Sequence, residues 1–262
     1  MPRIAVLIPV YNDQEGLNRT LKSLENEVEE QVDVVVVDDG SLIPMTTYSK
    51  ISIHNIKLIR AEKNIGIEAA LNMGVKYILD EGYEFIARID AGDEILHNRF
   101  SKQVSYLEKN QDVVLLGSHV KHVNREGQEV FTEYVPTTAK GIEKMMHMNS
   151  CFPHPSVMFR TCILKDIGFY STGYPAAEDY EFFFRISKKF RVSNIDEVLI
   201  KKEINPNSIS LSKRKVQLKS RLRIQLNYFN PLLIKSYTGV LKSLVLLVVP
   251  NKLVIKIKAS KN

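Results

Sequence analysis

The segment Tyr83-Glu84-Phe85-Ile86-Ala87-Arg88-Ile89-Asp90-Ala91-Gly92-Asp93 leads from a largely apolar run into two carboxylates. Tyr83 to Ile89 reads as a buried β-strand, and the residues after it are polar and turn-forming. In an α/β sheet the carboxyl ends of the strands open onto the ligand crevice. Acidic oxygens placed there suit a hard divalent cation, and such a cation suits a phosphate ester. A solvated loop after a strand has the same composition, so the segment alone leaves both readings open.

On either side of it the chain alternates strands and helices. Upstream, Arg3 to Val10 and Val32 to Val37 are continuous apolar runs, and Ile56 to Ile59 is a third strand. Leu17, Leu21, Leu24 and Val28 recur at helical spacing over Gln14 to Glu30, and a short helix is expected after Pro44. Asn64 reads as a helix cap, with Ile67, Leu71, Val75 and Ile78 forming the apolar face behind it. Downstream, helices are expected at Asn98 to Lys109, Thr161 to Ile167 and Ala176 to Phe190. Strands are expected at Val113 to Gly117, His154 to Phe159 and Ile195 to Lys201, with a hairpin turn at Arg125-Glu126-Gly127. The alternation predicts an α/β fold with a mostly parallel central sheet flanked by helices. No boundary is visible before about Asn205, so the body reads as one domain.

The 262 residues are 25% charged and 44% apolar, the balance of an ordinary globular protein. Cys151 and Cys162 offer neither a disulfide framework nor metal spacing, which fits a reducing compartment. Met-Pro-Arg leads straight into a strand pattern without an apolar h-region, so a cytoplasmic location is expected. The net charge of +6 conceals a division: residues 204–262 hold 12 Lys and Arg and no acid, while residues 1–203 hold 24 basic and 30 acidic side chains. Such a basic block faces an anionic partner.

Three acidic pairs carry the candidate chemistry: Asp38-Asp39, Asp90 with Asp93, and Glu178-Asp179. The first two follow strands and share one sheet edge if those strands are parallel. The third opens a helix, where acids also complement the helix dipole, so on its own it reads as capping more readily than as catalysis. The chain has no Gly-x-Gly, no Walker loop, no Gly-x-Ser-x-Gly elbow and no His-Glu-x-x-His, and its six histidines form no zinc pattern.

Six motifs in order carry a resemblance. They are Ile8-Pro9-Val10-Tyr11-Asn12, Val37-Asp38-Asp39-Gly40-Ser41, Asn64-Ile65-Gly66 with Ala70-Leu71-Asn72, Asp90-Ala91-Gly92-Asp93, His154-Pro155-Ser156 and Glu178-Asp179-Tyr180. Together they resemble glycosyltransferase family 2 over about residues 3 to 210. That resemblance implies the A-type glycosyltransferase fold and an inverting transfer of a sugar from a nucleotide diphosphate donor, UDP in the first instance, to a lipid-linked or glycan acceptor in bacterial surface polysaccharide synthesis. It implies that Pro9 and Tyr11 border the nucleobase and ribose, that Asp39 accepts from the uracil ring, and that Asp38 shapes the turn. It further implies that Asp90 lies near the ribose and donor sugar, that Asp93 holds Mg²⁺ or Mn²⁺ against the diphosphate, and that Asp179 is the catalytic base. The chain departs from the family in two places: Gly92 stands where relatives often carry another acid, and Asn205 stands where many carry a histidine. A nucleotidyltransferase and a non-catalytic binding module of the same fold are the rival readings. The first would want a glycine-rich basic loop where Pro9-Val10-Tyr11-Asn12 stands.

Alternation along the strand puts Arg88 on the face of Asp90, and the reading favours a structural pair between them. His154 reads as a satisfied, partly buried histidine. Residues 1–210 are taken as the catalytic domain and 211–262 as a basic amphipathic helical extension. Within the extension Ser236, Gly239 and Ser243 share a stripe with Lys235 and Lys242, while Leu233, Tyr237, Val240, Leu241, Leu244 and Val248 fill the rest. Leu244 to Val249 is too short to span a membrane. An interfacial helix on an anionic inner membrane surface fits the pattern, and so does a helix packed on the body or on a second copy. No aromatic-basic reading motif accompanies the charge, which argues against nucleic acid.

Overall fold

The computed structural model describes residues 3–47, 55–124, 126–204 and 213–249. In chain order these form β1 (Ile4–Val10), α1 (Gln14–Ser23), β2 (Val32–Asp38), β3 (Ile56–Arg60), α2 (Ile67–Asp80), β4 (Phe85–Arg88), β5 (Glu94–Ile95), α3 (Arg99–Lys109) and β6 (Val113–Val123). They continue with β7 (Glu129–Glu133), α4 (Ala139–Met146), β8 (Met158–Arg160), α5 (Leu164–Ile167), α6 (Glu178–Lys189), β9 (Arg191–Glu203), α7 (Arg214–Asn227) and α8 (Ile234–Val248).

The described residues build a nine-stranded sheet in the order β3-β2-β1-β4-β8-β6-β9-β5, with β7 paired to β6. The half that runs β3-β2-β1-β4 is parallel throughout. Strand β8 is antiparallel to both β4 and β6, β9 returns parallel to β6, and β5 and β7 add antiparallel edges. Side chains of β1 alternate between two cores. Ala5 and Leu7 pack with α2 and α6, and Ile4, Val6, Ile8 and Val10 pack with α1 and α3. A sheet covered on both faces requires strands that are apolar without interruption, which is what β1 and β2 are.

Several boundaries depart from the sequence reading for local reasons. Residues 154–156 form a 3₁₀ turn before the short strand β8, because Pro155 brings no N–H to a ladder. The first helix ends at Ser23 and passes into a 3₁₀ turn over 24–26. Asn64 is not the cap of α2: Gly66, at φ +90°, precedes the helix, and the Asn64 amide donates to Asp39 instead. Helix α4 is short, and Thr138 caps it by accepting from the Gly141 N–H at 3.2 Å. Residues 44–47 are not helical. The remainder of the helix expected there, together with Arg125, Asn205 and its followers 206–212, and residues 250–262 of the basic extension, lies outside the described residues.

The two C-terminal helices lie on the body. Ile224 is fully buried in the core of the α2 and α6 face. Ser220 donates to the Pro175 carbonyl at 2.9 Å, Gln225 to the Met148 carbonyl at 3.0 Å, and the Tyr228 ring stacks on Phe184 at 4.4 Å. Helix α8 turns its small residues inward. Ser236 pairs with His147 Nδ1 at 3.0 Å, Ser243 donates to Gln225 at 2.7 Å, and Gly239 abuts the His147 carbonyl. Its apolar residues Ile234, Tyr237, Leu241, Leu244, Val245 and Val248 point outward and are exposed. Among the described residues no helix is long and apolar enough to cross a membrane.

Candidate active site

Strands β2, β1 and β4 are adjacent and parallel, so their carboxyl ends bring Asp38-Asp39, Tyr11 and Asp90 to one edge of the sheet. Pro9 is buried within β1, while Tyr11, just past its end, is exposed. The buried Asp38 carboxylate accepts from the Ser41 N–H at 2.9 Å, the Met45 N–H at 3.1 Å and Arg60 Nη1 at 3.1 Å. Burial opposes its ionisation, but these donors outweigh burial and hold its pKa below the ordinary value. Asp39 accepts from the Ile65 N–H at 2.7 Å, the Gly66 N–H at 3.1 Å and Asn64 Nδ2 at 3.1 Å, so it ties the end of β2 to the loop that opens α2.

The loop after β4 is anchored by α1. Thr20 Oγ1 shares its one proton between the carbonyls of Asp93 at 2.7 Å and Asp90 at 3.1 Å and accepts the Gly92 N–H at 2.9 Å. Gly92 has φ +97°, a conformation that glycine adopts without strain. Arg88 Nη1 contacts Asp90 Oδ1, the pair that alternation along the strand predicts. On the other side Lys202 Nζ, from β9, lies 3.2 Å from Asp90 Oδ2 and 3.5 Å from Asp93 Oδ2. Burial would raise the Asp90 pKa, but Arg88 and Lys202 prevail and hold it well below the usual carboxylate range. Burial, opposed by Lys202 and reinforced by the Asp90 charge, pushes the Asp93 carboxyl up to about 7. Asp93 Oδ2 is buried and has no hydrogen-bond partner among the described residues.

Helix α6 begins within electrostatic reach of Asp90 and Lys202. Asp179, in its first turn, accepts from the Tyr180 N–H at 2.7 Å. Burial raises its pKa, against the Tyr180 N–H and the charges of Arg88 and Lys202, so the β4 edge and the start of α6 share one electrostatic environment. Its neighbour Glu178 is pushed up to about 8 by burial and by Asp179, and its buried Oε2 has no hydrogen-bond partner among the described residues. His154 is buried with Nε2 3.1 Å from the Tyr170 hydroxyl, and burial holds its pKa well below the ordinary value. It is a buried histidine with a partner, as the reading of a satisfied, partly buried histidine expects.

The donor set can be tested against a divalent ion. Among the described residues no group of three or more His, Cys, Asp or Glu converges. The two carboxylates that do converge grip the Lys202 ammonium between them. The arrangement is a carboxylate–ammonium cluster, and it does not fit a divalent ion while Lys202 stays in it. Sequence reasoning missed Lys202 because the expected last strand stopped at Lys201. It missed the Asp38–Arg60 pair because that pair needs the β2–β3 register, in which Asp38 is opposite Arg60.

Comparison with known proteins agrees with this architecture. The sequence model of the family described as Glycosyl transferase family 2 matches residues 5–167. The chain is 30% identical over 217 residues to the amylovoran biosynthesis glycosyltransferase AmsE of Erwinia amylovora, covering 80% of this chain and 79% of that protein. It is 28% identical to an Escherichia coli UDP-Gal:alpha-D-GlcNAc-diphosphoundecaprenol beta-1,3-galactosyltransferase, covering 76% and 73%. Among solved structures, S. aureus TarS 1–349 in complex with UDP-GlcNAc superposes with a TM-score of 0.64 at 20% identity, covering 92% of this chain and 71% of that one. Of the longer TarS chain this protein spans 41%. The mannosyltransferase PcManGT of Pyrobaculum calidifontis, in complex with GDP-Man and Mn²⁺, superposes with a TM-score of 0.62 at 14% identity, covering 99% and 73%. At these identities the structural likeness is one of fold.

Proposed function

Since the chain belongs to glycosyl transferase family 2 and has the A-type glycosyltransferase fold, we propose that it transfers a sugar from a nucleotide diphosphate, UDP in the first instance, to a lipid-linked or glycan acceptor with inversion at the anomeric carbon. One observation carries the reading: Asp39, the loop of Asp90 and Asp93, and Asp179 come from three separate parts of the chain, and the fold sets the first two at one sheet edge with Asp179 in the electrostatic field of Asp90. A carboxylate has about four lone-pair sites, so Asp39 keeps one for a ring N–H beyond the three donors it already meets. Pro9 and Tyr11 border the base and ribose, and Asp90 faces the ribose and donor sugar. Asp179 takes the proton of the acceptor hydroxyl on the face opposite the leaving diphosphate. Its raised pKa suits a base that must receive that proton. A Mg²⁺ or Mn²⁺ ion held at Asp93 would neutralise the leaving diphosphate, but it would have to displace the Lys202 ammonium from Asp90 and Asp93.

The lipid-linked acceptor and the surface-polysaccharide setting are supported by what the E. coli and E. amylovora relatives are named for. The extension, residues 211–262 beyond a catalytic domain of 1–210, seats the enzyme on the anionic inner face of a membrane. Its support is the inverted helix α8, whose small residues face the body while its apolar residues face outward, within a block of 12 basic residues and no acid. Incubation with a panel of nucleotide sugars should release free nucleoside diphosphate from one donor. Sedimentation should carry the protein with vesicles containing anionic lipid. Failure of every donor to bind or turn over overturns the transferase reading. Equal binding to neutral and anionic vesicles overturns the electrostatic part of the membrane reading.

A further inference from the structure

A departing diphosphate needs positive charge beside it. Around Asp90 and Asp93 the acids are already matched to cations of the chain itself. Arg88 holds Oδ1 of Asp90, Lys201 holds Glu94 at 3.0 Å, and Arg19 holds Glu203 at 3.2 Å. Oδ2 of Asp90 and Oδ2 of Asp93 both meet Lys202, at 3.2 and 3.5 Å. Those are ammonium–carboxylate separations, whereas Mg²⁺ sits roughly 2.0–2.1 Å from its oxygens in a near-octahedral shell. The third acid that relatives often carry is Gly92 here. A Cβ built on Gly92 would lie nearest Arg19 Nη2, at 3.6 Å, and Asp13 Oδ2, at 3.9 Å. The backbone at this position thus directs a side chain toward α1.

We propose that Lys202 is the resident cation of this site: its ammonium meets the donor diphosphate in the place expected for a divalent ion, and donor binding needs no metal. The proposal rests on the nucleotide-sugar reading. An ammonium has three donors; Asp90 Oδ2 takes one and Asp93 is met as an ion pair at 3.5 Å, so donors remain for a phosphate oxygen. The Lys202 side chain is one-third exposed, at 33%, which leaves it accessible to a ligand while the two carboxylates fix its position. Strand β9 supplies that position, because its parallel register on β6 sets Lys202 opposite His122 and next to Lys201, which in turn pairs with Glu94 on β5.

Calorimetric titration of the full chain with UDP and GDP, in EDTA and in Mn²⁺, tests this on the wild type, Lys202→Met and Lys202→Arg, with circular dichroism to check folding. The wild type should bind one nucleotide in EDTA, with Mn²⁺ changing its affinity by less than about threefold. Loss of a charge-assisted contact should weaken Lys202→Met by about tenfold or more in EDTA, with Lys202→Arg within a few-fold of the wild type. Wild-type binding that requires Mn²⁺ overturns the lysine role and leaves the donor reading standing. Folded Lys202→Met that binds like the wild type in EDTA does the same. Binding of neither nucleotide in either buffer overturns the donor reading, and the lysine role with it. The wild-type arm needs no variant, so an unfolded Lys202→Met does not remove the test.

Discussion

Replacing Asp38 with Ala removes a fully buried carboxylate that organises the turn carrying Asp39. Two backbone N–H groups, of Ser41 and Met45, lose their acceptor, and Arg60 loses its carboxylate partner while keeping the Ser41 carbonyl at 2.9 Å. A stranded buried N–H costs about 1–3 kcal/mol, so the two amount to roughly 2–6 kcal/mol. Arg60 is partly exposed and finds water, and the loop opens enough to recover part of the loss, which sets the expected destabilisation at about 3 kcal/mol. Asp38→Asn keeps one acceptor oxygen and should lose about half as much. The pH dependence supplies a second check. The folded pKa of Asp38 lies below its unfolded value, so its contribution is fully present above ~pH 4 and is lost as the pH falls through the depressed folded value. Urea unfolding at pH 7 should therefore separate wild type from Asp38→Asn, and the gap should narrow toward pH 3. Other carboxylates titrate in the same range, but they do so in both proteins, and the difference isolates Asp38. Calorimetry should also show weaker nucleotide binding, since the turn positions Asp39. A cost below about 0.5 kcal/mol for Asp38→Ala, or a gap that is unchanged between pH 7 and pH 3, refutes this account.

Asp179→Asn should cut turnover by about 10²–10⁴ with nucleotide affinity retained; full turnover in a folded variant would remove the base assignment. Glu178 has its pKa raised to about 8, so the folded state favours its protonated form and its contribution declines as pH rises from about 4.3 toward 8. Glu178→Gln should therefore gain thermal stability on the wild type at pH 9 and show little gain at pH 5, and a pH-independent difference would contradict this. Gly239→Leu drives a Cβ to within 2.1 Å of the His147 carbonyl oxygen and should lift α8 from the body, read as a lower melting temperature and faster proteolysis of residues 234–248. An unchanged melting temperature and unchanged proteolysis would show that α8 is not seated as described.

Much of this protein is determined locally and is legible in its sequence. The apolar runs of β1 and β2 and the spaced faces of α2 and α3 declare a two-sided sheet, because period and composition are properties of neighbouring residues. The acids at the ends of β2 and β4 are likewise visible, and once the strands are parallel their shared edge follows. What the sequence left undecided depends on residues far apart in the chain. Asn64 has the composition of a cap, yet its amide serves Asp39, which stands 25 positions earlier. Helix α8 shows two faces in sequence, but only packing decides which turns inward. The small face does, because Gly239 lets the helix approach the His147 carbonyl and the larger apolar side chains cannot. Lys202 is one of two adjacent lysines with no local signature. Its meeting with Asp93 exists only because β9 lies beside β6 and reaches back to the loop after β4, a register set by the sheet as a whole.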